Sequence, residues 1–169
     1  MTHALERRRF VGRLLGHGTA LLAGNLALGT RPAWARDTAL PVPDSLPAVA
    51  AAAVAQRNPL VLLASRQGCP YCEFLRRSYL LPMRQEGLPA WQFGIDDTRT
   101  PLRGFAGEAT TGAALAAGWK IRMTPTLLFL DASGAELAPR LVGIATPDFF
   151  GDVLQGALDA ARKRLSEPR

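Results

Sequence analysis

The stretch that decides the fold is residues 60–72, with the sequence LVLLASRQGCPYC. Its first five residues are apolar and follow a helix-breaking Asn-Pro pair, which is typical of a short strand buried on both faces. Proline is favoured in the first position of a helix, so Pro70 and Tyr71 should start a helix directly after Cys69. The stretch therefore predicts a strand that leads into a helix, with Cys69 and Cys72 one turn apart.

The two cysteines have the arrangement that thiol–disulfide exchange requires. A thiolate is the attacking species, and the unpaired N–H groups and dipole of a helix start lower the pKa of a cysteine placed there. We therefore expect Cys69 to be the nucleophile. Cys72 should face inward one turn later, where it can attack a mixed disulfide on Cys69 and resolve it. Beyond this redox-active disulfide, we expect no cofactor and no metal.

Other uses of the pair stay open from the residues alone. A structural disulfide is common in exported proteins, although so short a loop restricts the unfolded chain little. A metal half-site would need further ligands, and both histidines, His3 and His17, lie in the first 35 residues. Covalent haem attachment requires histidine after the second cysteine, where Glu73 stands. An alternative of another class is a copper chaperone, since soft thiolates suit Cu(I).

The first 35 residues have the order of an export signal. Residues 7–11 are Arg-Arg-Arg-Phe-Val, and the uncharged run at 14–30 is short and diluted for a membrane span. Residues 33–35, Ala-Trp-Ala, form a small-x-small cleavage pattern. We interpret residues 1–35 as a signal peptide cleaved after Ala35, which places the mature protein in the periplasm without a stable membrane span. Residues 7–11 resemble the twin-arginine consensus, and an uncleaved membrane anchor is the alternative.

Most of the positive charge belongs to that signal. The whole chain has a formal net charge of +6, but residues 1–35 hold five arginines and one glutamate. Residues 36–169 hold 15 basic and 13 acidic residues, a net charge of +2. Two basic clusters, Arg76-Arg77 and Arg162-Lys163-Arg164, are interpreted as solvated helix faces. We therefore expect no nucleic-acid binding, which requires a clustered basic face.

The apolar runs along the chain predict an α/β domain. A mixed central sheet of four to five strands should be flanked by helices, preceded by an extended leader at 36–45, with the domain occupying 46–169. Pro82 should kink or end the helix that follows the cysteines. The other expected elements are a helix at 46–57, strands at 90–95, 126–130 and 136–142, a surface connection at 98–109, a helix at 112–117 capped by Thr111, and a closing helix that starts at Thr146-Pro147 and ends near residue 165.

A second motif lies about fifty residues after the cysteines, where Thr124 and Pro125 open the strand at 126–130. Together with the strand, Cys-x-x-Cys and helix, the segment TPTLLFL resembles the thioredoxin-fold oxidoreductases. Exported bacterial members are the most similar, including periplasmic thioredoxins associated with sulfur oxidation. The resemblance implies a thioredoxin fold, a cis Pro125 beside the cysteines, and a Thr124 backbone that pairs with an extended substrate segment.

Departures from thioredoxins leave the direction of electron flow open. Gly68 precedes the first cysteine in place of tryptophan, Pro70-Tyr71 is the dipeptide typical of glutaredoxins, and Leu63 replaces a buried aspartate. We expect reduction of disulfides in exported partner proteins, with a membrane thiol reductase as the electron donor. The alternatives are a glutaredoxin-like enzyme and a disulfide-donating oxidant. Oxidants of the best-known type carry a large helical insertion, for which residues 95–123 are short.

Overall fold

The computed structural model describes residues 39–167. The predicted signal peptide and its cleavage site after Ala35 lie outside the described residues. In chain order, the elements are α1 Leu46–Ala55, β1 Leu60–Ser65, α2 Pro70–Leu75, a π-helical turn Arg76–Leu80, α3 Leu81–Gln85, β2 Ala90–Gly94, β3 Leu102–Arg103, β4 Ala109–Thr110, α4 Gly112–Gly118, β5 Thr126–Leu130, β6 Leu141–Val142, a 3-10 turn Pro147–Phe149 and α5 Phe150–Ser166.

Four of the strands form one mixed sheet in the order β2-β1-β5-β6. Strand β1 pairs in parallel with β2 and antiparallel with β5, and β5 pairs antiparallel with β6. Every residue of β1 is buried, because it has a strand on each side and helices above and below. The prediction of an α/β fold with a mixed sheet flanked by helices is confirmed.

Alternate residues of β1 face opposite sides of the sheet and build two cores. Val61 and Leu63 pack with side chains from the helical segments at 70–85 and from α5. Leu60 and Leu62 pack on the other side with side chains from α1 and α4. Burial of each leucine contributes about 1.5–3 kcal/mol, so the two cores fix β1 in the middle layer. The position of β1 then fixes the turn from which α2 starts.

Two predicted elements differ in the structure. The expected surface connection at 98–109 contains β3, which pairs antiparallel with β4, and Leu102 is buried there. The expected strand at 136–142 is present only at Leu141–Val142, with a single bridge from Glu136 to Leu130. Pro139 lies between these two points, and a proline cannot donate a ladder hydrogen bond.

Proline also shapes the helix after the cysteines. Pro82 does not end this helix, which runs on to Gln85, but a π-helical turn at Arg76–Leu80 comes just before it. Pro82 lacks an N–H and its ring would collide with a carbonyl one turn back, so a wider turn at this point relieves the misfit. The closing helix also begins at a proline, since Pro147 starts the 3-10 turn that precedes α5. The side chain of Thr146, the residue before Pro147, makes no capping hydrogen bond.

The expected leader packs against the domain from Leu40 onward. Leu40 is buried in the core on the α2 and α5 side of the sheet. The carbonyl of Pro41 accepts a hydrogen bond from the N–H of Gln92 at 3.0 Å, and that of Asp44 accepts one from Arg103 at 2.9 Å. These contacts hold the segment along the β2 and β3 edge.

Candidate redox site at the start of α2

The turn between β1 and α2 places Cys69 at the helix start. Cys69 is the N-cap of α2 with an extended backbone, and Pro70 is the first helical residue, as the sequence predicted. Gly68 has φ of +73°, in the left-handed region that side chains disfavour. The chain needs this conformation to turn from the strand into the helix, which explains why glycine precedes the first cysteine.

Cys69 and Cys72 form a disulfide with their Cα atoms 5.2 Å apart. That separation lies within the usual range for a disulfide. The two sulfurs differ in access, since Cys69 is partly exposed and Cys72 has 0% of its surface exposed. A large partner can therefore reach the sulfur of Cys69 but not the sulfur of Cys72.

Two hydrogen-bond donors point at the sulfur of Cys69. The backbone N–H of Cys72 donates to it at 3.2 Å, and the hydroxyl of Thr124 donates to it at 3.6 Å. Both donors would stabilise a negative charge on this sulfur, in addition to the positive end of the helix dipole. The arrangement favours a thiolate at Cys69 once the disulfide is reduced.

Thr124 reaches the cysteine because β5 runs antiparallel to β1. The first residue of β5, Thr126, pairs with Ala64 near the end of β1, so the segment before β5 lies beside the turn that carries the cysteines. The Thr124–Pro125 peptide bond is cis, as the resemblance implied. Pro125 is buried, and its carbonyl accepts a hydrogen bond from Gly143 at 2.8 Å.

Apolar side chains are exposed next to these residues in the chain. Tyr71 follows the first helical residue and Met123 precedes Thr124, and each has 57% of its surface exposed. Phe149 is exposed as well, whereas Phe150 is buried against Tyr79. Tyr71 and Met123 give the surface beside Cys69 apolar area that a partner chain can cover.

Arg76 is the site residue that sequence reasoning missed. It was expected on a solvated helix face, but it is 7% exposed, so that interpretation is wrong for Arg76. Its spacing carried the signal, because positions 72, 76 and 80 share one helix face and both Cys72 and Leu80 are buried. Arg66, in the turn before Cys69, pairs with Asp96 at 3.5 Å.

Comparison with known proteins decides the family. A family model described as a thioredoxin-like domain matches residues 46–158. The chain belongs to the thioredoxin-like family. No curated protein sequence matches it significantly.

Among solved structures, the chain is similar to thioredoxin O2 from Arabidopsis thaliana, with 15% identity over 72% of this chain and 96% of that one and a TM-score of 0.48. It is also similar to the periplasmic thioredoxin SoxS from Paracoccus pantotrophus, with 20% identity over 60% of this chain and 96% of that one and a TM-score of 0.39. A thioredoxin-fold protein from Helicobacter pylori shows 20% identity over 66% of this chain and 86% of that one, with a TM-score of 0.40.

The chain combines a thioredoxin-like domain with a Cys-x-x-Cys disulfide at a helix start. It is therefore a thiol–disulfide oxidoreductase. Within residues 39–167 no three His, Cys, Asp or Glu side chains are grouped so that they could hold a metal ion. In the same residues no helix is both long and apolar enough to cross a membrane.

Proposed function

We propose that the protein works in the periplasm and reduces disulfides of exported partner proteins. The observation that carries the exchange reaction is the unequal access of two bonded sulfurs, with Cys69 partly exposed and Cys72 buried. Such a pair divides the reaction into an attack by one sulfur and a resolution by the other. A structural disulfide has no need of this asymmetry.

The reaction follows from the positions of the two sulfurs. In the reduced protein the Cys69 thiolate attacks a partner disulfide, a bond forms between Cys69 and one partner sulfur, and the other partner sulfur leaves as a thiolate that takes up a proton. Cys72 loses its proton and attacks the sulfur of Cys69, which releases the second partner thiol. The partner gains two electrons and two protons, and the Cys69–Cys72 disulfide is formed.

Thr124 and Pro125 are proposed to hold the partner during this exchange. The Thr124 hydroxyl touches the Cys69 sulfur, so a partner segment that presents its disulfide to Cys69 must pass along this residue. Backbone hydrogen bonds to Thr124 would align an extended segment as in strand addition. The exposed side chains of Tyr71 and Met123 would supply apolar contact on either side.

The segment between β2 and β5 supports reduction of partner disulfides rather than donation of disulfides. It holds the two-residue strands β3 and β4 and the seven-residue helix α4 rather than a large helical insertion. Reduction in the periplasm requires a source of electrons, and we propose a membrane thiol reductase that reduces the Cys69–Cys72 disulfide. Export rests on the signal-like sequence of residues 1–35.

A matched pair of variants tests the roles of the two cysteines. The Cys72→Ser variant should accumulate mixed disulfides with exported proteins, because nothing resolves the bond formed on Cys69. The Cys69→Ser variant is the control and should trap almost none, since Cys72 is buried. Equal trapping by both variants, or rapid alkylation of Cys72 and not of Cys69 in the reduced folded protein, would refute the assignment.

Two further measurements test direction and location. Equilibration of the purified protein with glutathione should give a potential near that of thioredoxin, about −270 mV, and a value near −120 mV would identify an oxidant instead. Mass spectrometry of the exported protein should show a chain that begins at Arg36. Replacement of Arg7 and Arg8 by lysine should block export through the twin-arginine route, and unchanged export would contradict that route.

A further inference from the structure

The geometry points to Arg76 as a positioning residue for Cys72. We infer that its buried guanidinium donates a hydrogen bond to the sulfur of Cys72 when the disulfide is reduced, and that this contact favours the reduced form of the pair. The inference rests on the proposed thiol–disulfide function and extends it to the residue that sets the balance between the two redox states.

Burial of Arg76 is the first observation. Its side chain is 9% exposed, whereas the adjacent Arg77 side chain is 66% exposed. A guanidinium withdrawn from water is destabilising unless its donors are paired, so each of its three nitrogens should have an acceptor. Nη1 donates to Oε1 of Glu73 at 2.6 Å, and Nη2 donates to the Ser65 hydroxyl at 3.0 Å.

The third nitrogen of the guanidinium is unpaired. Nε of Arg76 is buried and has no hydrogen-bond partner among the described residues. Leaving a buried donor of a charged group unpaired is destabilising, more so than leaving a neutral one unpaired. The protein therefore carries this cost in the disulfide state that the structure shows.

The acceptor that fits is the sulfur of Cys72. Residues 72 and 76 are four apart on the helix and so lie on one face, and the backbone N–H of Arg76 bonds to the Cys72 carbonyl. Helical side chains lean towards the N-terminus, which directs the guanidinium back over the turn that holds Cys72. Its bonds to Glu73 and Ser65 confirm that direction, because Glu73 follows Cys72 and Ser65 ends the strand before the cysteines.

Reduction changes what the sulfur of Cys72 can accept. In the disulfide this atom is bonded to Cys69. When two electrons and two protons enter, supplied for example by two glutathione thiols that leave as glutathione disulfide, the S–S bond breaks and each sulfur becomes a thiol or thiolate. The freed sulfur of Cys72 is a stronger acceptor and can rotate towards the Nε–H of Arg76, so this buried donor, which has no partner among the described residues in the disulfide form, gains one on reduction.

Other charged groups near the site are less suited to this role. Side chains of Glu73, Arg77, Arg66 and Asp96 are 44–66% exposed, so water screens them. Leu63 shares a face of β1 with Ser65 and brings no charge to it. Arg76 is thus the buried cation on the face of the helix where Cys72 lies.

The test is the equilibrium of the protein with reduced and oxidised glutathione. The Arg76→Met variant loses the charge and the donor, so its equilibrium constant for reduction should fall about tenfold, equivalent to a potential about 30 mV more negative. The control is Arg77→Met, which removes an exposed arginine that also pairs with Glu73 and should shift the constant less than twofold. An unchanged constant in Arg76→Met, or an equal shift in Arg77→Met, overturns the inference.

Folding is checked by circular dichroism and thermal melting of both redox forms. Should Arg76→Met fail to fold, the Arg76→Lys and Arg76→Gln variants carry the test. Lysine keeps the charge and should stay within about threefold of the wild type, and glutamine, which keeps only a neutral donor, should shift further in the direction expected for methionine. A glutamine variant equal to the wild type refutes the role. Loss of partner trapping by the Cys72→Ser variant would instead refute the proposed function, and the equilibrium measurement does not depend on it.

Discussion

Replacing Thr124 by valine removes a hydroxyl 3.6 Å from the sulfur of Cys69 and keeps the shape of the side chain. Both this hydroxyl and the N–H of Cys72 donate to the sulfur in the disulfide form, and we expect them to stabilise the thiolate after reduction, together with the end of the helix dipole. Loss of one of these donors should make the Cys69 thiolate harder to form. The variant should therefore need a higher pH before Cys69 reacts.

The size of the effect follows from the contact. A hydrogen bond to a charged group contributes about 1.5–3 kcal/mol, and a long contact to a diffuse sulfur acceptor should fall below that range, at about 1 kcal/mol. One pH unit corresponds to 1.36 kcal/mol, so the midpoint of the reaction profile should rise by about 0.7 pH units. The N–H of Cys72 remains in place, which limits the change to this amount.

The assay is the rate of iodoacetamide alkylation of reduced protein between about pH 4 and 10, in a Cys72→Ser background that leaves Cys69 as the reacting sulfur. The rates with and without the Thr124→Val substitution should converge at high pH, where Cys69 is a thiolate in both proteins. Thr124→Ser keeps the hydroxyl and should retain the wild-type midpoint. The reasoning is refuted if the valine and serine variants have the same midpoint.

Two further predictions concern stability. A Cβ on Gly112 would overlap the carbonyl oxygen of Gly94, while one on Gly156 in α5 meets nothing within 4 Å. Gly112→Ala should therefore lower the melting temperature and Gly156→Ala should raise it by about 2–4 °C, since alanine is about 1 kcal/mol better than glycine in a helix; equal shifts would contradict the packing argument. Hydrogen bonds from Thr100 lower the pKa of Asp97 from 3.8 to about 2. Because the folded pKa is the lower one, this contribution to stability is complete above about pH 4 and is lost towards pH 2. The difference in melting temperature between wild type and Asp97→Asn should shrink over that window, and a constant difference would show that the carboxylate is not responsible.

Local patterns were sufficient for the central features of this protein. Five consecutive apolar residues at 60–64 predict a strand buried on both faces, and Cys69-Pro70 predicts a helix start, because each pattern depends on neighbours in the chain. The structure has both elements at these positions. The capping of α4 by Thr111, whose hydroxyl accepts the N–H of Ala114 at 3.3 Å, was predictable for the same reason.

The short strands and the surroundings of the sulfurs depended on tertiary structure. Two-residue strands such as β3 and β6 have too few residues for a period, so pairing partners decide them. Burial of Arg76 depends on Ser65, eleven residues away, and the contact between Thr124 and Cys69 spans 55 residues. The chain sequence determined which residues could do chemistry here, and the β1–β5 register determined which of them meet, because distant segments become neighbours only once the sheet has formed.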